Sequence, residues 1–143
     1  MALITERSNV PFRVVNFERL MYASIVLALF QTTLYWGSIT EEFQDIEPET
    51  GAWTIVIYTA VLCLLTWQVA REHENWARWT LLLLGVMGLL APHHQHSSLH
   101  RTLLYEALGY GAWITEAVAL LLIFTGDARD WFERITSHSL PFV

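Results

Sequence analysis

The sequence predicts an all-α integral membrane protein, a four-helix bundle with the N-terminus and the C-terminus both cytoplasmic. Three observations carry this. Apolar residues make up 54 % of the chain and charged residues only 15 %, against about 25 % charged in a typical soluble domain. The apolar residues gather into four runs, and crossing a hydrocarbon core takes about 20 residues of helix. The arginines fall almost wholly on one side of these runs, as the positive-inside bias requires of short cytoplasmic loops.

Residues 1–19 have no apolar centre of the kind a secretory signal needs, so the run that follows is expected to stay as an anchor. The first span covers about residues 18–39 and includes "LMYASIVLALFQTTLYWGSI", which has no charge. The second, "AWTIVIYTAVLCLLTWQVA", covers 52–70 and is also uncharged. The third apolar run, residues 79–91, is short. It becomes a span over 76–91 if the helix starts near Trp76 and Arg78 snorkels to the headgroups. The fourth covers 102–125 and carries Glu106 and Glu116. An amphipathic segment, 127–135, follows from a helix start at Asp127. Its Trp131, Phe132 and Ile135 are expected to face lipid, and Arg129 and Arg134 phosphates. The whole chain, 1–143, reads as one transmembrane domain.

Charge distinguishes four spans from three. With four spans, Arg7, Arg13, Arg19, Arg71, Arg78, Arg129 and Arg134 are cytoplasmic and Arg101 alone is outside; with three, Arg129 and Arg134 move outside as well. The rule favours four. The connections then alternate: an acidic outer loop, residues 40–51, a tight cytoplasmic turn, residues 71–75, and a second outer loop, residues 92–101. Short connections predict antiparallel neighbours. Trp76, Trp79 and Trp131, with Arg78 and Arg129, read as interface anchors on the cytoplasmic side. A bacterial inner membrane is the expected location. The net charge of −6 excludes nucleic acid as a partner, since phosphate binding needs a basic face. Cys63 is the one cysteine, so neither an internal disulfide nor a paired-cysteine redox motif is present.

"NWAR", residues 75–78, and "LLIFTGDARDWF", residues 121–132, together resemble small bacterial four-helix inner-membrane proteins of unknown function. Members of that kind often have a Trp-Ala-Arg turn before helix three and close helix four with Phe-Thr, a short polar step and Ala-Arg-x-Trp-Phe. The resemblance covers residues 60–135. It implies topology and no activity.

Three groups of residues need a reason. Glu116 lies near the middle of the fourth span, where a charged carboxylate is costly, so it should face the bundle interior and be protonated, paired or hydrated. Its candidate partners are Gln31, Thr32 and Tyr58, or a charge on another subunit; its uses are proton or cation handling, or structural contact. Glu106 sits one turn inside the outer end, in reach of water, Arg101 or the histidine loop. Ten residues, about 15 Å of helix, separate it from Glu116, so the two cannot hold one ion together. His93, His94, His96 and His100 offer nitrogen ligands suited to Zn, Cu or Ni, but no residue fixes a four-ligand geometry, and a polar loop opening with Ala-Pro is the plain alternative. No cofactor is otherwise expected. Gly85, Gly88, Gly109 and Gly111 permit close helix approach, and "LGYGAW" is a place for the fourth helix to bend.

With no nucleophile, base and orienting acid at a recognisable spacing, the sequence points to an accessory or partner-binding subunit of an inner-membrane complex. Its partners are the lipid bilayer and other membrane subunits, or further copies of itself. The alternative is a small homo-oligomeric transporter or channel for protons or metal cations, using Glu116 and the histidine loop.

Overall fold

The computed structural model describes residues 10–42, 47–72, 75–90, 102–128, 130 and 132. Every element among them is helical. Helix α1 spans Phe12–Leu34, α2 Trp36–Glu42, α3 Pro48–Trp67 with a π-helical extension Gln68–Glu72, α4 Asn75–Leu90 and α5 Leu103–Phe124. Three are long and apolar enough to cross a membrane: Phe12–Leu34, Pro48–Glu72 and Leu103–Phe124. In their most apolar stretches only 28 %, 22 % and 17 % of residues are buried inside the protein, so most of this apolar surface calls for a solvent other than water. Helix α4 starts ahead of its apolar run, at Asn75, and has 16 residues. At 1.5 Å per residue it reaches about 24 Å, short of a hydrocarbon core of about 30 Å.

Local chemistry sets the helix starts. Pro11, at φ −55° and ψ 141°, opens α1, and its carbonyl accepts from the Val14 N–H at 3.0 Å. Pro48 lies in the first turn of α3, where its missing N–H costs no helical bond. The adjacent Glu49 meets the positive end of the helix dipole. Thr102 caps α5, its hydroxyl accepting from the Tyr105 N–H at 3.4 Å.

The first apolar run is not one helix to residue 39. It breaks at Tyr35, which has φ −111° and ψ 18°. Just before the break the Thr32 and Thr33 hydroxyls donate to the carbonyls of Ala28 and Leu29, at 2.9 and 2.7 Å. Hydroxyls bonded back in this way loosen and bend a helix. The change of direction brings the Tyr35 ring edge-on to Tyr105, with centroids 4.9 Å apart, and its hydroxyl into a hydrogen bond with Thr102. The chain resumes as α2, so residues 40–42 of the expected outer loop are helical.

The first and last spans form the most extensive helix pair. They run antiparallel: Arg13 meets Thr125 and Asp127 at one end, and Tyr35 meets Tyr105 at the other. Near the latter end the Gln31 amide donates to the Tyr105 carbonyl at 3.0 Å. This approach depends on Gly109, where a Cβ would stand 2.9 Å from Gln31 Nε2. Helix α5 runs unbroken through "LGYGAW"; Gly109 provides contact rather than a bend, and nothing lies within 4 Å of a Cβ built on Gly88 or Gly111.

The core is concentrated at one end. Val14, Phe17 and Met21 of α1 join Leu65 of α3 and Val69 of its extension, Ala77 and Leu81 of α4, and Ala119 and Ile123 of α5 in one buried cluster. Arg13, Arg19, Arg71 and Arg78 belong to this same end, called the basic end below. There Arg71 donates from Nε and Nη2 to Glu18 Oε1, at 3.3 and 3.0 Å, tying the end of the π-helical extension to α1. Towards the other end α3 turns outward-facing: Trp53, Val56 and Ile57 are 66 %, 55 % and 60 % exposed.

Two expectations are corrected here. Phe132, expected to face lipid, is 2 % exposed and belongs to the core. Arg78, expected to reach out to the headgroups, is 8 % exposed. The cause is common to both: the Arg78 guanidinium lies 4.8 Å from the ring centres of both Phe124 and Phe132, and the electron-rich faces of the rings attract the cation. Trp131 and Ile135 lie outside the described residues.

Gly126 makes the turn after α5 with φ +60°, and the Arg13 guanidinium occupies the space a Cβ would enter. Gly126→Val is therefore expected to lower stability by about 2 kcal/mol, combining left-handed backbone strain with displacement of Arg13. Unfolding in mixed micelles would show it, and an unshifted midpoint would refute it. The Arg13–Asp127 pair, 3.0 Å long with both side chains about half exposed, adds little by itself.

Candidate functional site

Among the described residues, one-ended packing leaves open spaces between the helices, and two of them stand out by their lining. The first, about 450 Å³, lies between α4 and α5. Leu82, Gly85 and Val86 form one wall; Trp113, Glu116, Ala117, Leu120, Leu121 and Phe124 form the other. Gly85 allows the two helices to meet. A Cβ on it would stand 2.7 Å from Leu120 Cδ1 and 3.6 Å from Glu116 Oε1, so the carboxylate faces bare α4 backbone.

Glu116 makes no hydrogen bond or ion pair among the described residues. Two of its three candidate partners are engaged elsewhere: Gln31 with the Tyr105 carbonyl and Thr32 with that of Ala28. Tyr58 of α3 is the one in electrostatic reach. Glu116 is a half-buried carboxyl group in an otherwise apolar wall, and a polar group there costs free energy until it finds a partner.

The second space, about 330 Å³, lies between α1 and α3. Ile25, Leu29, Ile55 and Leu62 supply apolar surface, while Ala28, Thr32, Thr54, Tyr58 and Thr59 make its small and hydroxyl-bearing part. Thr54 donates to the Thr50 carbonyl at 2.8 Å, as Thr32 does to Ala28. Each hydroxyl oxygen keeps acceptor capacity after donating its own proton.

Of the other predicted site residues, Glu106 stands exposed in the first turn of α5, where it complements the dipole. It shares neither space with Glu116. Trp76 and Trp79 are exposed at the basic end, Trp79 with its ring 5.1 Å from that of Phe124. His93, His94, His96, His100, Arg101, Arg129 and Trp131 lie outside the described residues. Among the described residues no group of three or more His, Cys, Asp or Glu is placed to hold a metal ion.

The sequence reading picked out Glu116, Gly85 and Tyr58 but missed the aromatic wall of Trp113 and Phe124 and the hydroxyls of Thr54 and Thr59. The threonines did carry a signal, since hydroxyl residues recurring within a 20-residue apolar helix mark a face made for contact. The aromatics carried none, because Trp and Phe also populate lipid-facing belts. No family model matches the chain, and neither the curated proteins nor the solved structures contain a significant match to it.

Proposed function

We propose that the chain is a partner-binding subunit, without catalytic activity of its own, of a bacterial inner-membrane complex. It spans the membrane as a four-helix bundle of α1, α3, α4 and α5, both ends cytoplasmic, the bilayer thinning locally around the short α4. Gathering Arg13, Arg19, Arg71 and Arg78 at one end supports that orientation. One observation carries the partner reading: the cleft between α1 and α3 is lined by Ala28, Thr32, Thr54 and Thr59. Small and hydroxyl side chains of this kind pack and hydrogen-bond against other transmembrane helices, whereas lipid tails gain nothing from them. The occupant is a transmembrane helix of another membrane protein, presenting small residues and a hydrogen-bond donor.

Thr59→Phe fills this cleft without touching Glu116. Extracted from its native membrane in mild detergent, the wild-type protein is expected to run well above its monomer mass of 16.5 kDa, with other subunits in the peak. Thr59→Phe should release it as a folded monomer, a loss of at least tenfold in affinity, or about 1.4 kcal/mol. A wild-type monomer, or a complex that survives Thr59→Phe, would overturn the reading.

The unpartnered Glu116 favours a second reading, a small homo-oligomeric transporter of protons or metal cations. Glu116→Gln in proteoliposomes should then abolish flux; unchanged flux would refute it.

A further inference from the structure

The groove between α4 and α5 plays no part in a partner's docking at α1 and α3, and its chemistry is different. It is apolar except for one carboxylate. Along α5, Glu116 is 13 residues from Leu103 and 8 from Phe124, about 20 Å and 12 Å at helical rise. A headgroup anchored at either surface of a bilayer does not reach it. Whatever meets Glu116 must carry its own polar group into the hydrocarbon.

We propose that this groove is a binding site for a lipophilic organic cation, a quaternary ammonium or phosphonium, or a protonated amine, with an apolar body. Each part of the geometry selects for that class. The volume of about 450 Å³ lies in the usual range for small-molecule sites, which are mostly apolar with a few placed polar groups. Glu116, with no hydrogen-bond or ion-pair partner among the described residues, supplies the complementary charge, and a cation beside it offsets the cost of keeping a carboxylate out of water. Trp113, one turn before Glu116 on α5, lines the same wall, and an aromatic ring attracts a desolvated cation. A neutral lipid chain fills the groove but leaves the carboxylate unmet. A bare divalent ion needs several oxygen or nitrogen ligands, and Glu116 is the one acidic residue on this wall.

The probe is tetraphenylphosphonium, with neutral triphenylphosphine oxide as its comparator. Both are titrated calorimetrically into the full chain in phosphatidylcholine nanodiscs, with empty discs as the partitioning blank. Zwitterionic lipid removes the surface-charge attraction of the cation to the bilayer, and the empty discs account for its hydrophobic partitioning. Wild-type protein is expected to bind the cation saturably at one site and the neutral comparator at least tenfold more weakly. Glu116→Gln should weaken the cation at least tenfold and leave the comparator unchanged; Glu116→Asp should restore part of the loss. Ala117→Trp, which fills the groove from an exposed position without removing the carboxylate, should abolish binding of both. Cation binding by Glu116→Gln equal to wild type overturns the proposal. So does a wild-type signal no larger than that of empty discs, or undiminished binding by Ala117→Trp. The wild-type comparison of cation with neutral probe stands even if a variant fails to fold. Release of a partner subunit by Thr59→Phe tests the other site and leaves these outcomes unaffected.

Discussion

Phe17→Ala is expected to lower stability by about 3 kcal/mol, the lower end of the range for truncating a fully buried phenylalanine. Phe17 has no exposed surface and sits in the buried cluster to which all four longer helices contribute. The lower end applies because the unfolded chain also remains in an apolar medium, so the loss is chiefly one of packing contacts rather than of transfer from water. Phe12→Ala is the control: Phe12 is 72 % exposed, and its removal should change stability by less than about 0.5 kcal/mol. Unfolding in mixed micelles with increasing denaturing detergent measures both. Equal effects at the two positions would mean that the core is not where the basic end places it.

Arg78 gives the second large effect, by a different mechanism. Its guanidinium has Phe124 and Phe132 at 4.8 Å and Trp79 at 5.9 Å. A planar, weakly hydrated cation suits this setting, and a compact ammonium does not. Arg78→Lys is expected to cost about 1–2 kcal/mol although the charge is kept, and Arg78→Ala about 3 kcal/mol because the packing stem goes too. The readout that separates this arrangement from a simple surface anchor is local. Phe132 is held in the core beside Arg78, so Arg78→Ala should raise the rate of tryptic cleavage beyond Gly126 by at least tenfold. An anchor in the headgroups would instead be satisfied by lysine, with neither stability nor cleavage altered.

The helical class and the positions of the long apolar helices were legible in the sequence, because an apolar run of spanning length has few other solutions. Boundaries were less so. The break at Tyr35 follows from two hydroxyls bonded to their own helix and from rings on a helix far along the chain, and the second of these is tertiary. Arg78 shows the same limit. A cation next to tryptophans at the start of a short apolar run reads as a snorkelling anchor, and only the arrival of Phe124 and Phe132 from elsewhere turns it inward. Glu116 was legible because charge inside a span always needs a reason. The groove around it was not, since residues of two separate helices line it together. Gly85 signalled the close contact there, but its partners Leu120 and Glu116 emerge only from the fold.

The pairing of the first span with the last also governs when the protein can be completed. Arg13 and Thr125, which hydrogen-bond at 3.2 Å, are 112 residues apart in the chain. At a synthesis rate of roughly 5–20 residues per second, α1 waits on the order of 5–20 s after emergence before its main partner exists. During that time Val14, Phe17 and Met21 have no α5 to pack against, and the membrane itself, or a chaperone within it, must shield them. A chain interrupted before Leu103 would carry that face unmatched for as long as it survives, which makes truncated products natural targets for membrane proteolysis.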